Sequence, residues 1–329
     1  TLNVLAGNLN INEAITTQGG SLTANAAAAI NSGSNGTITT TGTVADQDSG
    51  SVQLTAGTDV ALAGAVDTSG FDNAAGAQNS DGGSVTITAT TGSLAVDDIT
   101  SSGGDVAAGT GGNAGLITLD AATTITLNDN PTVTDPADGD LSSAGGTDLS
   151  TGVRTGDGAD LIFQDPVILA ANEPTDGETQ TINTSGATAG DVVFQQTLDG
   201  ATPSANDLTI SARDTDVSSA ADPTSGDVTF MMEVGGTTRL GDLTITDADN
   251  VHAMQRIRAT SLTQLAGIGN TTLNDVDIET VTAGPSSALD ITTDYTINLR
   301  GNVSVTDATG TVDNTTATGE TIAITSVDG

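Results

Sequence analysis

Short stretches in which apolar and polar residues alternate strictly recur along the chain. Examples are SVQLTA at 51–56, SVTITA at 84–89, LITLDA at 116–121 and DLTITD at 242–247. Alternation with a period of two is typical of a strand with one buried face. The Gly, Asn, Asp and Ser residues between the stretches favour tight turns. The pattern therefore predicts many short strands and no helix, and it predicts strand, turn, strand even for the most helix-like segment, 251–267.

The alternating stretches repeat at a roughly constant spacing. The apolar position that opens a strand returns at Leu22, Val52, Val85 and Ile117. The segment 1–19 also aligns with 51–70, which places Leu2 level with Val52. Self-similarity at a period of roughly 20–50 residues is the mark of a solenoid, in which each repeat completes the core of its neighbours.

Three of the four Phe residues occupy the same place in three copies of one phrase. The copies are GADLIFQDPV at 158–167, GDVVFQQTL at 190–198 and GDVTFMMEV at 226–234. We expect Phe163, Phe194 and Phe230 to lie on successive coils, to point inward and to stack in a column, with Val193 and Thr229 facing outward.

The predicted fold class is all-β: a right-handed parallel β-helix of about 30 residues per coil, with about eleven coils and a length near 50 Å from the strand spacing. We expect residues 1–329 to form one continuous solenoid segment of a longer chain, with 1–152 and 153–329 as candidate sub-blocks. The segments 71–83 and 128–152 are expected to be loops that leave the coil. Sandwich arrays and propellers need longer repeats and more aromatic residues.

Composition limits which side chains can form the core and which partners the chain can bind. Hydrophobic residues make up 36% of the chain and aromatic residues 2%, so the core must consist of small and branched side chains. The absence of Cys excludes disulfides. The net charge is −36, there is no Lys, and 36 of the 42 acidic residues are Asp. Such a charge repels nucleic acid and anionic membranes, and no apolar run approaches the length of a membrane span.

Several phrases resemble the repeats of filamentous-haemagglutinin-type proteins, which are long bacterial surface and secreted adhesins. They are GSVQLTAGTDVALAGAVDTSG at 50–70, GGSVTITATTGSLAVDDITSSGG at 82–104 and GDVTFMMEVGGTTRLGDLTITDADNV at 226–251. The resemblance runs from about Leu2 to Asp307. It implies a right-handed parallel β-helix, export by a two-partner or autotransporter-like route, and surface attachment. The secretion domain of that family is not recognisable in this chain.

One segment follows a calcium-binding nonapeptide. TGDGADLIF at 155–163 matches G-G-x-G-x-D-x-U-x at every constrained position but the first. The sequence therefore predicts Asp157 and Asp160 as candidate ligands of a single Ca²⁺, together with backbone oxygens. The alternative is a tight Gly turn before a strand, because the motif is not repeated in tandem. The acidic loops 45–50 and 135–140 are similar candidates.

Candidate catalytic residues are nearly absent. The one basic cluster, His252, Arg256 and Arg258, has two interpretations: a charge-balanced strand edge, or a patch that binds carboxylate or sulfate. A polysaccharide lyase or hydrolase on this scaffold would need acidic and basic side chains that converge in one groove. Ice binding would need Thr-x-Thr on every coil of one face. We expect no enzyme, no catalytic residue and no cofactor other than Ca²⁺ at the candidate site.

The predicted function is that of a structural and adhesive extracellular protein, a rigid stalk or filament segment at a bacterial surface. Expected partners are further coils or copies stacked end to end, and surface glycans or neighbouring cells. Nucleic acid binding and membrane insertion are not expected. The alternatives are an acidic, calcium-binding surface-layer or matrix component and a carbohydrate-active enzyme.

Overall fold

The computed structural model describes residues 1–128, 139–170, 179–214, 226–280, 287–307 and 321–326. These residues form strands, turns and loops, without a helix and hence without a helix that could span a membrane. The loop candidate at 135–140 lies largely outside the described residues. The strands stack in three sheets of parallel strands, so the chain is an all-β parallel β-helix.

Sheet 1 runs the length of the stack with eleven strands. They are Leu2–Val4, Leu22–Ala26, Val52–Ala56, Val85–Ala89, Ile117–Ala121, Leu161–Phe163, Val192–Phe194, Val228–Phe230, Val251–Ala253, Thr271–Leu273 and Ile297–Leu299. Sheet 2 has seven: Leu9–Ile11, Ile30–Ser32, Val60–Leu62, Leu94–Val96, Ile125–Leu127, Val167–Leu169 and Leu198–Gly200.

Sheet 3 has thirteen strands. They are Ile15–Thr16, Ile38–Thr39, Val66–Asp67, Ile99–Thr100, Leu141–Ser142, Gln180–Asn183, Leu208–Ser211, Leu240–Asp247, Ile257–Gln264, Val276–Thr280, Ser287–Thr293, Val303–Asp307 and Thr321–Ser326. A short antiparallel pair, Thr147–Asp148 with Val153–Arg154, stands apart from the three sheets.

The register confirms the repeat that the sequence predicts. Leu22 pairs with Val52, Val52 with Val85 and Val85 with Ile117. Hydrogen bonds between equivalent turns of these coils join residues that lie 30, 33 and 32 positions apart in the sequence. The coil that follows is the longest, and a hydrogen bond across it spans 44 positions. Spacing varies with the loops, because a loop can grow outside the coil without disturbing the ladder.

Two successive coils in the second half of the stack are smaller than the coils on either side of them. Val228 pairs with Val251, and Val251 pairs with Thr271. Hydrogen bonds between the turns of these two coils span only 23 and 20 positions. Here the eight-residue strands Leu240–Asp247 and Ile257–Gln264 replace the separate short strands of sheets 2 and 3.

The second of these long strands also continues sheet 2. Leu198 bridges to Val234, and Val234 bridges to Ile257, the first residue of that strand. Sheets 2 and 3 therefore merge into one continuous surface in the small coils.

Alternation within each strand places one set of side chains inside the coil. Strand Val85–Ala89 shows the rule, because Val85, Ile87 and Ala89 are buried while the two Thr residues between them face outward. The Phe prediction is confirmed: Phe163, Phe194 and Phe230 are buried, and their rings stack with centroids 4.5 and 5.2 Å apart.

Two predictions of detail are wrong. Leu2 pairs with Ala24, which pairs with Leu54, so Leu2 lies level with Leu54 and not with Val52. A shift by two residues keeps every side chain on its face, so alternation alone cannot detect it. The segment 128–152 is also not one loop, because Leu141–Ser142 forms a strand of sheet 3 that pairs with Ile99–Thr100. A two-residue strand is too short to show alternation.

Inward-facing hydroxyl groups close five successive coils after the sheet 3 strand. Each donates a hydrogen bond to a backbone carbonyl of the segment that returns to sheet 1, and each is buried or partly buried. The pairs are Thr40 with Gly50, Thr68 with Gly83, Ser101 with Gly115, Ser143 with Ala159 and Thr184 with Gly190. Near this corner the loops pass so closely that a Cβ on Gly103 would lie 1.7 Å from the carbonyl oxygen of Gly112, so only glycine fits there.

Candidate functional site

Asp and Asn side chains form columns along the turns of the solenoid. In the Asp157 column, a side-chain oxygen of each residue accepts a hydrogen bond from the backbone N–H of the next, one coil further on. Its members are Asp48, Asp81, Asn113 and Asp157, with donor–acceptor distances of 2.7–3.0 Å between them. Asp157 in turn accepts from the N–H of Thr188 at 3.2 Å.

Asp160 belongs to a second column. Its carboxylate accepts the N–H of Asp191 at 2.9 Å, and Asp191 accepts the N–H of Asp227 at the same distance. Asp227 accepts from Asn250, and Asn250 accepts from the N–H of Asn270. We call these five residues the Asp160 column. The columns place side-chain acceptors where the turns would otherwise leave backbone donors without a partner in the protein.

The two predicted calcium ligands are therefore neighbours in sequence but members of different columns. The carboxylate of each already accepts a hydrogen bond from a backbone N–H of the adjacent coil. Ile162, which matches the apolar position of the nonapeptide, faces outward, while Leu161 and Phe163 are buried. In the described ranges, no group of three or more His, Asp or Glu side chains is arranged to hold a metal ion. These features favour the turn interpretation, and the calcium site stays a prediction.

A calcium titration at constant ionic strength tests that prediction. If Asp157 and Asp160 bind the ion, CaCl2 should raise the melting temperature above the value in NaCl of equal ionic strength, and Asp160→Asn should abolish the difference. Equal ionic strength gives the two salts the same Debye length, and the Asp160→Asn variant controls for Ca²⁺ that the net charge attracts without a site. Equal melting curves in the two salts, with no heat of binding in calorimetry, would remove the calcium site.

Burial raises the pKa of some carboxylates at the turns, and neighbouring carboxylates add to the shift. The pKa of Asp191 lies above its ordinary value, first because the group is partly buried and then because Asp160 and Asp227 flank it; the N–H of Asp227 opposes the shift. Burial also raises the pKa of Asp207, with a smaller contribution from Asp242. These residues favour a proton more in the folded chain than in the unfolded one.

The basic cluster resolves into ion pairs. Arg256 lies 3.3 Å from Glu233, and Arg258 lies 3.3 Å from Asp277. His252 is not part of this set, because it lies on sheet 1 while Arg258 lies on the long strand Ile257–Gln264. The interpretation as a charge-balanced edge is confirmed for the two arginines.

Arg239 is the centre of the charged network, although no sequence pattern singled it out. Its guanidinium is almost fully buried, lies 3.2 Å from both Asp277 and Glu279, and donates to the carbonyl oxygens of Ala259 and Asp277. Nothing in the local pattern at 235–240 marks it, since its partners lie on later coils. Acidic and basic side chains thus meet here as ion pairs, in which their charges neutralise one another.

An internal cavity lies near this end of the stack. It is lined by apolar side chains together with Gln264 and Thr271, whose hydroxyl donates to the Gln264 amide oxygen at 2.7 Å. Its volume of about 10 Å³ is close to the minimum that holds one water molecule. A sugar does not fit in such a space.

The outer face of sheet 1 does not carry a regular Thr array. Thr86 and Thr88 form a Thr-x-Thr pair, but the adjacent coils present Gln53 with Thr55 on one side and Thr118 with Asp120 on the other. The flat, repeated hydroxyl surface that ice binding would need is therefore interrupted on this face.

Comparison of the chain with protein-family models, with curated proteins and with solved structures gives no match.

Proposed function

We propose that this chain is a load-bearing stalk or filament segment of a structural, adhesive protein at a bacterial surface or in the extracellular space. The observation that carries the proposal is the uninterrupted sheet 1, in which eleven parallel strands continue from Leu2–Val4 to Ile297–Leu299. A stack of that kind is a rod about 50 Å long at the ordinary strand spacing.

The contacts between coils support a mechanical role. Each coil is joined to the next by backbone hydrogen bonds in two or three sheets, by apolar side chains that stack inside, and by the Asp and Asn columns at the turns. Such contacts repeat along the whole rod and involve only nearest neighbours. A bend must therefore break several of them at once.

The surface supports extracellular contact in preference to catalysis. Outward positions of the strands are mainly short polar residues, and loops of variable length leave the coils at the corners. The high negative charge keeps rods apart in solution. The resemblance of the repeats to filamentous-haemagglutinin-type adhesins adds the proposals of secretion, of surface attachment and of glycans or neighbouring cells as partners.

Single-molecule stretching tests the load-bearing role. A chain held at its two ends and pulled should extend in discrete steps, each corresponding to one coil or a few. The smallest and the largest coil would release about 70 and about 150 Å at full extension. A Gly/Ser chain of equal length provides the control, because it should stretch smoothly. Smooth stretching of the protein itself would contradict the proposal.

Retention on glycans tests the adhesive role against the enzymatic alternative. Beads coated with the protein should be held on surfaces that carry neutral polysaccharides, since the net charge of −36 repels acidic ones, and the polysaccharides should stay intact. Bead retention without new reducing ends or unsaturated sugars supports an adhesin. Release of such products over time would contradict it and favour a carbohydrate-active enzyme.

A further inference from the structure

The only His and all three Met of the chain lie in one short segment, between positions 231 and 254. They are Met231, Met232, His252 and Met254. The structure places them on two successive coils: the three Met residues lie at the corner where the chain leaves sheet 1, and His252 lies in the sheet 1 strand just before it. The Phe column, the ladders and the turns do not require Met or His at these positions, because the same corner in neighbouring coils carries Gln195 and Asn274.

Met231 and Met254 occupy equivalent positions. Phe230 pairs with Ala253, and the ladder continues one residue further: the N–H of Met231 donates to the Phe194 carbonyl at 3.0 Å, and the N–H of Met254 donates to the Phe230 carbonyl at 2.9 Å. The two backbones are thus one strand spacing apart, about 4.8 Å. Met231 and Met254 are 38% and 51% exposed.

His252 shares the face of Met254. Val251 and Ala253 are buried, so His252 between them and Met254 after them point outward. The two outward residues are about 7 Å apart along the strand. Among the described residues, the His252 imidazole has no hydrogen-bond or ion-pair partner. Its cross-strand neighbour Thr229 is two residues before Met231, so the backbone positions of Met231, His252 and Met254 form a triangle on one outer face.

We infer that Met231, His252 and Met254 bind a soft monovalent cation, Cu(I) or Ag(I). Thioether sulfur selects soft ions, and a neutral imidazole nitrogen is a suitable third ligand. Met has three rotatable bonds and adapts to the coordination that the ion prefers. The spacings of about 5 and 7 Å allow the three donor atoms to meet at one point between them.

The surroundings attract cations but provide few oxygen ligands for a hard cation such as Ca²⁺. The net charge of −36 raises the local concentration of any cation at the surface. Glu233, the nearest carboxylate in sequence, is paired with Arg256 at 3.3 Å. A divalent ion that prefers oxygen ligands would therefore find a single nitrogen and two thioethers, whereas a soft ion finds the donors it selects.

Met232 supplies a matched control within the same segment. It follows Met231 in the turn and is 43% exposed. The register places it level with Gln196 and Gln255, one column further round the corner. It has the same chemistry as the two proposed ligands and a similar exposure, but it lies in a different column, so it should make no contact with the ion.

Nuclear magnetic resonance with Ag(I) tests the site directly, because Ag(I) is diamagnetic and the chain has one imidazole and three Met methyl groups to observe. Addition of Ag(I) should shift the imidazole signals of His252 and the methyl signals of Met231 and Met254 together, with saturation at one equivalent. The methyl signal of Met232 should stay in place. Absence of saturable shifts, or equal shifts of all three methyl groups, would overturn the inference.

Competition for Cu(I) against a chromophoric chelator, under anaerobic and reducing conditions, measures the affinity. Met231→Leu, Met254→Leu and His252→Gln should each weaken binding about tenfold or more, since even residues that only orient a ligand change affinity roughly 10- to 100-fold. Met232→Leu should retain the wild-type affinity, and Zn²⁺ should not compete. The circular dichroism spectrum reports whether each variant is folded. Unchanged affinity in the Leu variants of Met231 and Met254 would contradict the site.

Discussion

At the residue scale, the fold depends on which side chains fill successive inward positions. Phe163, Phe194 and Phe230 are the clearest case, since their rings are nearly parallel, with interplanar angles of 11° and 14°. Aromatic pairs are free to choose offset or edge-to-face arrangements in most cores. Here the register fixes the spacing, so equivalent rings on adjacent coils stack face to face.

Removing the middle ring should leave a cavity that the coils cannot close. Phe194 is 1% exposed and contacts a ring on each side. Phe194→Ala should therefore lower the free energy of unfolding by about 3–5 kcal/mol, as measured by denaturant titration. Val193→Ala on the outer face is the control and should cost less than about 1 kcal/mol. Equal losses in the two variants would contradict the inward column.

The buried hydroxyl groups have a comparable effect at the other end of the coil. Thr68 is fully buried, and its hydroxyl donates to the carbonyl oxygen of Gly83. Thr68→Val keeps the shape but leaves that acceptor short of a partner, which should cost about 1–3 kcal/mol. The outward Thr100→Val provides the control and should be nearly neutral in thermal denaturation. A neutral Thr68→Val would show that the hydroxyl does not hold the coil closed.

At the element scale, the Asp and Asn columns join turns of successive coils in the way that ladders join strands. Asn occurs naturally in both columns, for example at Asn113 and Asn250. Only the acceptor oxygen is therefore required, and the charge of Asp is an added cost where carboxylates are adjacent.

Substitutions of Asp191 separate the effect of the acceptor oxygen on stability from the effect of the charge. Asp191→Ala removes the acceptor of the Asp227 N–H and should lower the free energy of unfolding by about 1–3 kcal/mol. Asp191→Asn keeps the acceptor and removes the repulsion from Asp160 and Asp227, so at pH 7 it should equal or exceed the wild type in denaturant titration. A destabilised Asn variant would contradict this account of the column.

Four partly buried carboxylates govern the pH dependence of stability. The pKa values of Asp120, Asp191, Asp207 and Asp247 are raised from 3.8 in the folded chain, with burial as the largest cause in each case. The folded state then binds more protons than the unfolded state between 3.8 and the raised values, so stability falls as pH rises through that window. The wild type should melt at a higher temperature just above pH 4 than at pH 7, and Asp191→Asn should reduce the difference.

One carboxylate acts in the opposite direction. The pKa of Asp148 is lowered, chiefly by the Ser150 hydroxyl and the Gly109 N–H. The stability that Asp148 contributes is present above pH 3.8, the ordinary pKa of Asp, and is lost mainly below that pH. It therefore does not cancel the gain expected above pH 4. A melting temperature that rises steadily from pH 4 to pH 7 would contradict the assignment of the raised pKa values.

Sequence predicted the elements well where alternation was long. Val85–Ala89 and its neighbours follow the pattern residue by residue, and the Phe phrases give the correct register of three coils. The two-residue strand Leu141–Ser142 and the position of Leu2 were mispredicted, because neither short strands nor shifts by two residues leave a mark in the pattern. The register of such short or shifted strands is set by their contacts with the next coil.

The candidate sites were less predictable than the fold. Asp157 and Asp160 carried a recognisable motif, but their carboxylates serve N–H groups one coil further on. A sequence signal for the columns does exist, since Asp or Asn precedes many of the alternating stretches at the same distance. The ion pairs of buried Arg239 and the proximity of Met231, His252 and Met254 depend on the register between coils. The sequence of a single strand does not reveal that register.

At the scale of the whole molecule, the rod is defined by its constant rise and its variable circumference. The smallest described coil runs from Val251 to Thr271, and the largest runs from Ile117 to Leu161 and is more than twice as long in sequence. Loops account for the difference, so the length of the rod depends on the number of coils and not on the number of residues. This property makes the solenoid suited to holding a fixed distance while its corners vary.

Distances between spin labels on the outer face of sheet 1 test this central claim most directly, and the absence of Cys makes site-specific labelling simple. Two pairs of positions are nearly equally far apart in sequence but differ in the number of coils between them. Thr229 and Thr272 are separated by two coils, through His252. Thr118 and Ile162 are separated by one.

A label on Thr23→Cys should therefore lie about 10 Å further from a label on Thr272→Cys than from one on Thr229→Cys. A label on Thr272→Cys should lie only about 5 Å further from Thr118→Cys than from Ile162→Cys. Narrow distance distributions with these two increments are the predicted result. Equal increments for the two nearly equal lengths of chain, or broad distributions, would contradict a stiff rod of stacked coils.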